Sequence, residues 1–130
     1  MMELSYIQFA KELMRCSCPL QQIGANLLDY WEPDFPPATV LFSSFGKQLA
    51  RQYDEMSQDE KRAIFNLVEK GLESDDLVLV AALATGFVEA LLMVSTSNEG
   101  LWNRIEYDLG ERAKHHARGV LSTYPNQQER

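Results

Sequence analysis

Leu77-Val78-Leu79-Val80-Ala81-Ala82-Leu83-Ala84-Thr85-Gly86-Phe87-Val88-Glu89-Ala90-Leu91-Leu92-Met93-Val94 is the stretch that decides the fold. Its only markedly polar members are Thr85 and Glu89, and its eighteen residues reach the lower limit for crossing a bilayer. The flanks argue against that use. Asp75-Asp76 precede it and Ser95-Thr96-Ser97-Asn98 follow, with no Lys/Arg asymmetry to orient a span. Glu89 would also be costly in lipid. A helix apolar on all sides is what the centre of a soluble bundle needs. The expectation is a core helix over about 75–95. Ala82, Gly86 and Ala90 recur every fourth residue along it, a small-residue stripe that lets a neighbouring helix come close.

The elements around it read as helices too. Ser5 and Gln8 form a capping-box pattern with Leu4 and Phe9 as its hydrophobic staple, and Ile7, Ala10, Leu13 and Met14 follow at helical spacing. Pro19 suits the first turn of a second helix, with Leu20, Ile23, Leu27 and Leu28 as its stripe and Gly24 as a weak point. The segment 31–37 holds three prolines and cannot continue it. A third helix should carry Leu41, Phe42, Phe45, Leu49 and Tyr53 on one face. Ser57 and Glu60 form the clearest capping box and open a fourth, with Ile64, Phe65, Val68 and Leu72. A last helix is expected from Asn98 and Glu99, with Trp102, Ile105, Leu109, Ala113, His116 and Val120 along one side and Lys114 and Arg118 near its end. No alternating pattern competes. The chain of 130 residues is therefore expected to be all-α, one domain of about six helices around the apolar one.

Composition narrows the function by exclusion. With 12 basic and 19 acidic residues the formal net charge is −7, which argues against a generic nucleic-acid or anionic-membrane binder. Cys16 and Cys18, one residue apart, seldom meet disulfide geometry and fit a reduced, cytoplasmic protein. The N-terminus lacks the basic start and apolar run of a signal peptide. His115 and His116 are adjacent and point to different helix faces, so no metal-ligand spacing is present and no metal is expected. No glycine-rich phosphate loop follows a strand, and no cofactor is expected. Glu69 and Glu73 are four apart, yet no histidine joins them in the pattern of helical di-iron sites. Glu89 is the one carboxylate in a strongly apolar context. The expectation for it is pairing with Arg104, Arg112 or a neighbouring hydroxyl. No catalytic residue is assigned, and the chain is read as not being an enzyme. An enzyme using His115, His116 or Glu89 is the minor alternative.

Two surfaces stand out as places for a partner. Within 54–76, eight acids (Asp54, Glu55, Asp59, Glu60, Glu69, Glu73, Asp75, Asp76) face only Lys61, Arg62 and Lys70, a net −5. Solvation explains such a face by default, and an acidic surface that speeds encounter with a basic protein is the functional version. The irregular segment mixes Trp31 and Phe35 with Glu32 and Asp34, next to Tyr30. Aromatics of this kind either close the end of the bundle or anchor a basic partner that has apolar pockets.

Phe45-Gly46-Lys47-Gln48-Leu49, Ala63-Ile64-Phe65-Asn66-Leu67-Val68-Glu69-Lys70-Gly71, Asp75-Asp76 and Gly86-Phe87-Val88-Glu89-Ala90-Leu91 resemble an uncharacterised group of small bacterial all-helical proteins found in toxin-immunity neighbourhoods. The resemblance covers roughly the last two-thirds of the chain and leaves out the Trp31 segment. It implies an antidote that binds and blocks a cognate secreted toxin, and it supplies no catalytic residues. The leading expectation is thus a cytoplasmic immunity protein for a toxin that is basic, a nuclease being one fit, with no direct nucleic-acid or membrane contact. A helical adaptor or regulatory protein acting through homo- or hetero-oligomerisation is the alternative.

Overall fold

The computed structural model describes residues 5–98 and 100–123. Among them there are seven helices and no strand, in one compact domain. Helix α1 (Ser5–Met14) buries Ile7, Phe9, Ala10, Leu13 and Met14. Ser5, expected as the cap, is itself helical. Leu4 lies outside the described residues, as does Glu99. Helix α2 (Cys18–Trp31) opens on Ser17, whose hydroxyl accepts from the Leu20 N–H at 3.3 Å, with Pro19 in the first turn as anticipated. Gly24 is the price of close packing here, because a Cβ on it would lie 2.5 Å from Met14 Sδ.

Helix α3 (Ala38–Gln52) buries Leu41, Phe42, Phe45, Leu49 and Ala50 and runs into a 3-10 turn, Tyr53–Glu55, that puts Tyr53 in the core. Helix α4 (Gln58–Leu72) has the anticipated capping box. The Glu60 N–H donates to the Ser57 hydroxyl at 3.1 Å, and the Ser57 N–H donates to Glu60 at 3.0 Å.

Helix α5 (Leu77–Ser95) is the apolar core helix. Asp76 caps it, accepting from Val78 and Leu79 at 3.1 and 3.3 Å. By length and composition it could cross a membrane, and half of its most apolar window is buried inside the fold. Ala82–Val88 are π-helical. The small-residue stripe works as anticipated, since α3 lies against it. A Cβ on Gly86 would meet the Thr39 carbonyl at 3.1 Å. One on Gly46 of α3 would meet the Phe87 carbonyl at 2.4 Å and the Ala90 methyl at 3.2 Å. The far side of α5 is uncovered, leaving Leu77 78%, Val78 59% and Met93 64% exposed.

The expected single last helix is two. Helix α6 (Leu101–Asp108) follows Gly100, which takes the left-handed φ of 80° that glycine tolerates. Leu109 is extended and buried, and helix α7 (Glu111–Thr123) starts after Gly110. The apolar rhythm runs through the break because Leu109 and Ala113 are both buried. Periodicity alone therefore joined two helices that the backbone separates.

Candidate functional site

The 30–35 turn is built by what stops α2. Glu32 leaves the helical conformation, the Glu32-Pro33 peptide is cis, and Pro36 and Pro37 delay the next helix until Ala38. Its far end is tethered, since the Tyr6 hydroxyl donates to the Pro36 carbonyl at 2.9 Å. Burial pushes the Tyr6 phenol up from its ordinary value, which keeps it a donor.

The aromatics of the turn do not close the bundle. Tyr30 is 81% and Phe35 42% exposed, and Trp31 is half-buried against Tyr30, edge to face at 6.3 Å. None of the three belongs to the hydrophobic core. Asp29, Glu32 and Asp34 make no side-chain hydrogen bond or ion pair among the described residues. With Leu28, Phe35 and Lys11 they border an open cleft of about 400 Å³. A partner would meet unpaired carboxylates beside exposed rings.

The acids of 54–76 are arranged differently, for most already have partners. Asp54 takes the Arg104 guanidinium side-on at 2.8 and 3.1 Å, which holds its carboxyl below the usual range. Asp59 pairs with Arg62 at 3.1 Å, and Glu60 closes the capping box. Glu69 reaches across to α7 and accepts the backbone N–H groups of Arg112 and Ala113, both at 2.9 Å. Glu73 lies 3.7 Å from the Arg112 guanidinium. Asp76 caps α5 and also accepts from the Ser5 hydroxyl, and these bonds, the hydroxyl's first, hold its carboxyl below the usual range. Only Glu55 and Asp75 are without a partner among the described residues. The expected acidic surface is thus mostly intramolecular stitching.

A second cleft, of about 550 Å³, lies between the 3-10 turn, the start of α4 and α6. Tyr53, 1% exposed, donates its hydroxyl to Asp108, which also accepts from Gln58 Nε2 at 3.4 Å. Lys61 Nζ sits 4.2 Å over the Tyr53 ring, and Tyr107 stands 87% exposed at the rim. Burial first, then the bond to Asp108, pushes the Tyr53 phenol far up. Apolar spacing marked Tyr53 as core but gave no sign of Asp108. The two lie 55 positions apart, and only the tertiary fold joins them.

Glu89 is paired as expected but with a different partner. Arg104 and Arg112 are engaged by Asp54 and Glu73, and His116 Nε2 lies 2.9 Å from Glu89 Oε2. Both side chains are about one-third exposed and border a cleft of about 420 Å³ with His115 and Thr123. A carboxylate that orients an imidazole is part of a hydrolytic triad, but a nucleophile is also needed. The one hydroxyl lining this cleft, on Thr123, donates to the Gly119 carbonyl. At Cys16, burial and then Glu12 push the thiol up, away from the reactive thiolate. Among the described residues no three His, Cys, Asp or Glu side chains are grouped to hold a metal ion.

No protein-family model, curated protein or solved structure matches this chain. Its own surfaces therefore carry the functional argument, and at the 30–35 turn uncommitted carboxylates stand beside exposed aromatic rings.

Proposed function

We propose that this chain is a non-catalytic binding protein, and specifically an immunity protein that occludes a cognate basic toxin through the 30–35 turn. One observation carries the reading: Asp29, Glu32 and Asp34 have no side-chain partner among the described residues and stand beside exposed Tyr30 and Phe35 and half-buried Trp31. Aromatic anchors give an interface its affinity, and free carboxylates steer a basic partner onto it. Of the acids on 54–76, Glu55 and Asp75 remain available to widen the contact. Two free cysteines suit a reducing cytoplasm. The test is protection of cells against a toxin encoded beside this chain. Expression should rescue growth, and Trp31→Ala should abolish the rescue while the protein stays folded.

The uncovered side of α5 favours a second reading, an adaptor that works through oligomerisation. Leu77, Val78 and Met93 offer an apolar stripe to another helix. A dimer by light scattering that Met93→Lys dissociates would support that reading. A monomer at every concentration would remove it.

A further inference from the structure

Helix α7 combines little full apolar burial with several charged contacts to its neighbours. Its fully buried residues are Ala113 and Ala117, two methyl groups, whereas α3 buries Leu41, Phe42, Phe45 and Leu49. Val120 and Leu121 pack on the core only half-buried, and charge adds to that limited apolar hold. Carboxylates from three other helices converge on it: Glu69 on its first backbone N–H groups, Glu73 on Arg112, Glu89 on His116 and Glu106 on Arg118. Its covalent joint to α6 is short, and Leu109, buried at 5%, anchors the α6 side of it. Gly110 on the other side has no side chain to dock. Beneath α7 lie α4 and the π-helical part of α5.

We propose that α7 is a releasable strap, closed by this carboxylate clasp and able to swing away about Leu109 and Gly110 while the other six helices stay folded. Apolar burial makes a helix part of the cooperative core, and elements with little of it open at lower free energy than the whole domain. Polar attachments break and re-form against water with small net change. Opening lays bare the sides of α4 and α5 that α7 covers, so anything that claims Glu69 or Glu89 controls access to them. This device is independent of the 30–35 turn and of any toxin.

Native-state hydrogen exchange of the full chain at low urea tests it. Amides of residues 113–121 should exchange roughly tenfold or more faster than those of 41–49, through an opening whose urea dependence is clearly smaller than that of global unfolding. Glu69→Ala should accelerate residues 113–121 by about a further tenfold, because the bonds it removes are broken in the open form, while 41–49 accelerate by no more than the loss in global stability. Glu89→Gln should do the same to a smaller degree. The proposal is overturned if both segments exchange at one rate with one urea dependence, or if Glu69→Ala accelerates 41–49 and leaves 113–121 unchanged. Should Glu69→Ala fail to fold, the urea dependence of the unsubstituted protein decides.

Discussion

Glu69 lies where a side chain on Gly110 would have to be. A Cβ built on Gly110 would come within 2.1 Å of Glu69 Cγ. The carboxylate beyond it takes the N–H groups of Arg112 and Ala113. Helix α7 thus starts on a residue with no capping side chain and borrows its cap from α4, 43 positions away. The pair explains both why the chain needs glycine at 110 and why the last helix is broken there.

Removing that cap should cost measurable stability. Glu69→Ala is expected to lower the unfolding free energy by about 1–3 kcal/mol, the range for a lost cap and its charge-assisted bonds. Gly110→Ala should cost a comparable amount by displacing Glu69. The two together should cost clearly less than their sum, because they remove one interaction. Urea unfolding of the four proteins gives the comparison.

Tyr53 makes stability fall in alkali. Its phenol is held neutral in the folded state, with an ionisation raised above the ordinary value of about 10. The stabilisation is therefore complete below about pH 10 and is lost as pH rises from there toward the folded value. Tyr53→Phe should show a shallower alkaline loss in thermal scans, at a cost of about 1 kcal/mol near neutrality from the bond to Asp108.

Asp54 has the opposite sign. Its carboxyl is held down by Arg104, so the contribution is present above the unfolded value of about 3.9 and disappears as pH falls through the lower folded value. The pair is exposed, and solvent screens it to a small contribution. Asp54→Asn should be slightly less stable than the parent at pH 7 in low salt, and equal to it in high salt or strong acid.

Gly46 cannot be enlarged. A Cβ there meets the Phe87 carbonyl, which is backbone and cannot rotate away. Gly46→Ala should push α3 from α5 and cost about 1–3 kcal/mol, read as a lowered melting temperature.

Much of the fold was legible because it rests on local chemistry. Ser57 and Glu60 are three residues apart and cap each other, and Ala82, Gly86 and Ala90 repeat on one face, so both features could be read from spacing. The break at Gly110 was not legible, because no Ser, Thr, Asp or Asn marks the new helix start and the apolar rhythm continues across it. Glu69 and its target, Glu89 and His116, and Tyr53 and Asp108 are pairs that only packing brings together. Counting charges could not tell a carboxylate aimed at another helix from one in water. Most of the 54–76 acids therefore looked like a free surface, whereas Glu32 and Asp34 stand exposed on a proline-bounded turn.

The central claim is that the 30–35 turn is a binding surface rather than part of the core. Trp31→Ala and Phe35→Ala are the variants that decide it, measured for thermal stability and for affinity toward the toxin encoded beside this chain. The account predicts a melting temperature close to that of the parent and a loss in affinity of about 30-fold for Trp31→Ala, the ~2 kcal/mol of an interface anchor. A large drop in stability with affinity unchanged among the folded molecules would contradict it.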